Sequence, residues 1–108
     1  MGYYTDFELK MYGPDEEIER VNQAAKKQQD EKLKELFENG YVYAKWYLFD
    51  QDFISFAKKF PSILFVVNGD GEEPGDIWEL RVKGTLVESH SVIMPPFENT
   101  ALQIPKNY

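Results

Sequence analysis

Cysteine is absent from the 108 residues, and histidine occurs once. The first absence excludes a disulfide framework, a thiolate zinc site and a cysteine nucleophile, and it suits a reducing interior. The second leaves His90 without a companion imidazole, and a lone histidine is weak ground for a metal centre. No apolar run approaches the roughly 20 residues that cross a bilayer, so no membrane association is expected. The opening MGYYTDFELKMYG has neither a basic n-region nor an apolar h-region and does not read as a signal peptide. Asp6 stands where a myristoylated N-terminus would carry Ser or Thr. Basic charge is also short: 12 Lys and Arg against 19 Asp and Glu give a net charge of −7. The basic clusters Lys26–Lys27, Lys32/Lys34 and Lys58–Lys59 each lie close to acids, which disfavours direct nucleic-acid binding. Excess acid serves solubility first, and beyond that suits attraction to a basic partner.

What is present suffices for a core. At 43% hydrophobic and 16% aromatic, the chain reads as a single domain over 1–108. Gly2 to Tyr12 alternates, with Tyr3, Thr5, Phe7, Leu9 and Met11 on one face and Tyr4, Asp6, Glu8, Lys10 and Tyr12 on the other. That is the period of a half-buried strand. Gly13-Pro14-Asp15 ends it, and Asp15, Glu16 and Glu17 suit the start of a helix. Ile18, Val21, Ala25, Leu33 and Leu36 form one stripe over Asp15–Glu38, with Phe37 at its border. One continuous helix is the favoured reading; the alternative is a break near Gln29-Asp30, with Asp30 capping a second piece. Asn39-Gly40 stops it.

Tyr41–Tyr47 is aromatic and β-prone. Asp50 reads as the N-cap of a short helix over Gln51–Phe60, burying Phe53, Ile54, Ala57 and Phe60 before Pro61. Ile63–Val67 is the most buried strand. Asn68–Gly75 reads as a loop, and Asp76–Val82 and Thr85–Ile93 as a hairpin turning at Lys83-Gly84. The tail over 95–108 is expected to pack extended. The order β-α-β-α-β-β-β gives an α+β fold, a mostly antiparallel sheet with two helices on one face, close to a ferredoxin-like arrangement with the terminal hairpin as the departure.

Five carboxylates, Asp70, Glu72, Glu73, Asp76 and Glu79, fall within ten residues without a base among them. Oxygen ligands of this kind attract hard cations, but the spacing is not that of an EF-hand, and turn composition explains it without a ligand. Asp50 and Asp52 are explained by helix capping. Ser89 and Ser91 flank His90 but point to the opposite face of a strand, so they form no nucleophile–base pair with it, and a surface or edge-strand histidine is expected. Gly69, Gly71 and Gly75 lie between strands rather than before a helix, which is not a phosphate cradle. Tyr3, Tyr41 and Tyr43 are expected to face the core or line the sheet, and Tyr4, Tyr12 and Tyr47 to be exposed. Aromatics beside carboxylates suit a protein-binding surface better than base stacking, which wants flanking Lys or Arg.

The opening MGYYTDFEL, Lys45-Trp-Tyr, Phe60-Pro61, Ile63-Leu-Phe-Val-Val and Gly71-Glu-Glu-Pro-Gly-Asp-Ile-Trp78 together resemble a group of small phage and prophage proteins. The resemblance covers the start and about Lys45 to Lys83, leaving out the long helix and everything from Ser89 onward. It implies a viral origin, action in the host cytoplasm and a ferredoxin-like domain, and it brings no activity, cofactor or catalytic residue. The expectation is a small acidic, non-enzymatic protein that binds a basic host protein, inhibiting a defence or nucleic-acid-handling factor. Its contacts would be Asp70, Glu72, Glu73 and Asp76 in the acidic loop, and Tyr4, Asp6 and Glu8 on the outer face of the first strand. The alternatives are a metal-dependent enzyme using the Asp70–Asp76 carboxylates, and a virion structural or assembly protein, including a homo-oligomer.

Overall fold

The alternation of the first strand sets the layering. In the computed structural model, which describes residues 2–92, β1 (Thr5–Tyr12) buries Thr5, Phe7 and Leu9 and turns Asp6, Glu8, Lys10 and Tyr12 the other way. It lies second in a five-stranded antiparallel sheet of order β2-β1-β3-β4-β5, formed with β2 (Tyr41–Ala44), β3 (Leu64–Gly71), β4 (Ile77–Lys83) and β5 (Leu86–Val92). β2 and β3 both run antiparallel to β1, so they are parallel to each other with β1 between them. Together with the helix that joins them they form one split β-α-β unit, the ferredoxin-like element of the fold. Where a ferredoxin-like domain would have a second such unit, this chain has the meander β3-β4-β5. The α+β class and the antiparallel sheet are therefore as the sequence suggests.

Among the described residues three helices are present rather than two. α1 (Asp15–Lys26) and α2 (Glu31–Asn39) replace the single long helix, because the backbone leaves helical geometry before Asp30 and the Asp30 carboxylate accepts the Lys32 N–H at 2.9 Å as an N-cap. Gly40 ends α2 in the left-handed region, at φ 76°. The hydrophobic stripe survives the break: Val21, Ala25, Leu33, Leu36 and Phe37 are buried, and Ile18 is half-buried. α3 (Phe49–Ala57) begins before Asp50, so Asp50 lies inside the first turn and caps nothing. Asp52 instead accepts the Trp46 indole N–H at 2.9 Å, tying the short β2–α3 connection. α3 buries Phe49, Phe53, Phe56 and Ala57, while Ile54 is only partly covered.

The buried residues of all three helices share one core with Phe7, Leu9, Val42, Phe65, Val67, Leu80 and Val82 of the sheet. Aromatic rings dominate it. Phe53 is fully buried and stacks between Phe37 and Phe49, with its edge toward Phe65. Such packing makes Phe53→Ala cost roughly 3–5 kcal/mol.

The larger revision is at Asn68–Gly75. β3 continues through Asn68-Gly69-Asp70-Gly71, and only Glu72 to Asp76 is turn. The glycines at 69 and 71 are strand positions on the core-facing side, in register with Phe7 and Thr5. A Cβ at Gly69 would overlap the Trp78 indole, and one at Gly71 would overlap the Asp76 carboxylate and the Tyr3 phenol. They are glycines because neighbouring side chains lie across them. The β4–β5 turn is Gly84-Thr85, one residue beyond the expected Lys83-Gly84, closed by the Lys83–Leu86 pair. The expected extended tail over 95–108 lies outside the described residues.

Candidate functional site

Among the described residues the three helices bury their apolar sides in the one core, against Phe7, Leu9, Val42, Phe65, Val67, Leu80 and Val82, and no helix is packed on the other sheet face, whose residues the strand register assigns in rows. One row runs Tyr43, Asp6, Asp70, Ile77; the next runs Tyr41, Glu8, Asn68, Glu79, His90. A third runs Lys10, Val66, Arg81, Glu88, and the far end carries Tyr12 beside Leu64 and Lys83 beside Leu86. The face is thus polarised: Asp6, Glu8, Asp70, Glu79 and two tyrosines lie toward one end, and Lys10, Arg81 and Lys83, with Glu88, Tyr12 and apolar groups, toward the other. Val66 is buried yet stands apart from the main core, between the long side chains of Lys10 and Arg81.

Of the two expected placements, facing the core or lining the sheet, Tyr41 and Tyr43 take the second: they belong to this open face, 46% and 53% exposed. Because β2 begins at Tyr41, its odd residues fall opposite Asp6 and Glu8 rather than opposite Phe7. Tyr43 stacks on Tyr4 with ring centroids 4.9 Å apart, and the Lys45 ammonium lies over the Tyr4 ring at 5.7 Å. Tyr41 donates a hydrogen bond to Asp6, and that bond raises the Tyr41 pKa above its ordinary value of 10.0. Tyr12 and Tyr47 are exposed, as expected, while Tyr4 is half-buried by its stack. Arg81 donates to Glu79 at 2.6 Å, which raises the guanidinium pKa.

The corner beside this face is built by Tyr3. Its hydroxyl donates to Asp76 Oδ2 at 2.5 Å and accepts the Glu73 N–H at 3.0 Å, and its own N–H donates to the Tyr47 hydroxyl at 2.8 Å. The hydrogen bond to Asp76 holds the Tyr3 phenol above the ordinary value of 10.0, partly offset by the Glu73 N–H. Glu72 Oε2 accepts the Tyr4 N–H at 3.2 Å. Trp78 lies across Gly69 with its ring edge toward Phe7, which also meets Trp46 edge to face. Three stretches distant in sequence, Tyr3–Phe7, Trp46-Tyr47 and Gly69–Trp78, therefore meet at one place. The sequence carried the parts of this network, but nothing in its periodicity pairs Tyr3 with Asp76.

Of the residues expected to bind a partner, Tyr4, Asp6, Glu8 and Asp70 come together on the open face, and Asp6 and Asp70 are register neighbours. Glu72 and Glu73 lie exposed in the adjoining turn. Asp76 does not join them. Its carboxylate lies over Gly71, on the opposite side of the sheet from Asp70, and serves Tyr3. The carboxylates that a metal-dependent enzyme would need are thus split between two faces. Among the described residues no three His, Asp or Glu side chains converge on a position that could hold a metal ion. His90 is exposed on the edge strand, as expected. Among the described residues no helix is long and apolar enough to cross a membrane. No protein-family model, curated protein or solved structure matches the chain.

Proposed function

We propose that the protein is a non-catalytic binding protein of the phage type its sequence resembles, and that the acidic, tyrosine-bearing end of its open face docks on a basic surface of a host protein. The observation that carries this reading is the clustering of Tyr4, Tyr41 and Tyr43 with Asp6, Glu8 and Asp70 on a sheet face that, among the described residues, no helix covers. Tyrosines supply contact area at small entropic cost. Carboxylates around them steer a basic partner and penalise an acidic one. The Tyr4–Tyr43 stack and the Tyr41–Asp6 hydrogen bond fix the rings in advance, which lowers the cost of ordering them on binding.

Tyrosines on an open antiparallel sheet also suit base stacking, but the phosphates of a nucleic acid would meet Asp6, Glu8 and Asp70 directly. A basic protein surface fits this charge better, and such surfaces are often those that handle nucleic acid themselves. Occupying one would inhibit a host defence or nucleic-acid-handling factor. Capture from host lysate at low and moderate salt tests the proposal. A specific partner whose retention falls as salt rises is expected; no retained partner at either salt contradicts it.

A further inference from the structure

β5 is the outermost strand of the sheet, and among the described residues nothing pairs with its outer edge. Edges of this kind are usually blunted by Lys, Pro or extreme shortness. The opposite edge is β2, only four residues long and followed by Lys45. β5 has seven residues, Leu-Val-Glu-Ser-His-Ser-Val, without Lys or Pro, and Leu86 and Val87 are 72% and 43% exposed.

We propose that β5 pairs antiparallel with β5 of a second copy of this chain, about a two-fold axis through Ser89, joining the two sheets into one. Three features argue for this occupant. The first is composition. Pairing centred on Ser89 matches every residue of the strand: Leu86 with Val92, Val87 with Ser91, and Glu88 with His90 of the second copy. A two-residue shift of register puts Glu88 against Glu88 or His90 against His90 and leaves strand ends unpaired. The fully overlapped register is therefore also the one that sets acid against base.

The second feature is the backbone. Gly84-Thr85 is a two-residue turn closed by Lys83 and Leu86. Counting the antiparallel alternation from that hydrogen-bonded pair turns the N–H and C=O groups of Val87, Ser89 and Ser91 to the outer edge. Centring on Ser89 brings those same residues opposite one another. The third is charge. Within one copy Glu88 is in register with Arg81, and His90 with Glu79. Across the joint, the open-face row then reads Arg81, Glu88, His90, Glu79, which sets the acid of one edge strand beside the imidazole of the other. The contact is isologous, so it closes as a dimer and does not propagate.

This surface is separate from the acidic end of the open face, so its test does not depend on the proposed function. Sedimentation equilibrium of the full chain over a range of concentrations is expected to show reversible dimerisation. In a homodimer His90→Glu sets two carboxylates together at the joint, and Glu88→Lys removes the carboxylate that faces the imidazole; each should weaken self-association, on the order of tenfold for the carboxylate pair. An equimolar mixture of these two variants sets the introduced ammonium against the introduced carboxylate at one contact and keeps Glu88 against His90 at the other, and should associate again. Ser89→Pro, which removes an outward N–H at the centre, should give a monomer. Far-UV circular dichroism checks that each variant is folded. A wild-type chain that stays monomeric at its highest soluble concentration would overturn the proposal. So would a dimer indifferent to all three substitutions, or folded single variants whose mixture fails to associate.

Discussion

Tyr3 ties the segment before β1 to the β3–β4 turn through one hydroxyl, because it donates to Asp76 and accepts from the Glu73 amide. Tyr3→Phe removes both bonds and leaves the ring, and should lower the melting temperature at neutral pH. The folded-state pKa is raised, so this contribution is present in full below the ordinary value of 10.0 and is lost as pH rises through the raised one. Melting curves of wild type and Tyr3→Phe should differ at neutral pH and converge in strong alkali. A difference that grew with alkali would contradict the assignment. Gly69 makes a different kind of prediction. A methyl group there must displace the Trp78 indole, which packs on Phe7 and Phe49. Gly69→Ala should therefore destabilise by on the order of 2 kcal/mol in urea unfolding, whereas a loop glycine at ordinary φ would tolerate it.

At the scale of elements, Asp30 decides that α1 and α2 are two helices. Asp30→Ala leaves the α2 N-terminus uncapped and should cost about 1 kcal/mol of stability by denaturant titration. An unchanged midpoint would mean that the break rests on Gln28 and Gln29 instead. The sequence held this signal as an alternative, but the apolar stripe runs through both helices at one period, and periodicity alone cannot show a break between two segments that bury the same face. β1 was legible because it alternates through eight residues with one face fully committed to the core. β3 was legible only as far as Val67. Beyond it, Asn68-Gly-Asp-Gly has the composition of a turn, and the reason for its glycines, the Trp78 and Tyr3–Asp76 side chains lying across them, is tertiary. The same limit applies to Tyr41 and Tyr43, whose face depends on the register of β2 against β1. That Tyr4, Asp6 and Glu8 share a face was readable from alternation; that Asp70 joins them and Asp76 does not was not.

At the scale of the molecule, the fold divides labour between the two faces of one sheet. One face is consumed by the aromatic core and three helices. The other is left with a charge gradient, acidic and tyrosine-rich at the end where β1, β2 and β3 meet, basic and apolar toward Lys10, Arg81 and Leu86. A net charge of −7 alone would give a general attraction to any basic protein; the arrangement on the face would give a particular one. The most direct measurement separates the two by comparing paired charge reversals. Glu8→Lys with Asp70→Lys changes the open face, and Glu16→Lys with Glu35→Lys changes exposed positions on α1 and α2 by the same amount. Retention of the host partner from lysate is then quantified for each against wild type. Loss of at least about tenfold for the sheet-face pair, with near wild-type retention for the helix pair, is the expected result. Equal losses from both pairs, or retention unaffected by either, would contradict the open face as the binding surface.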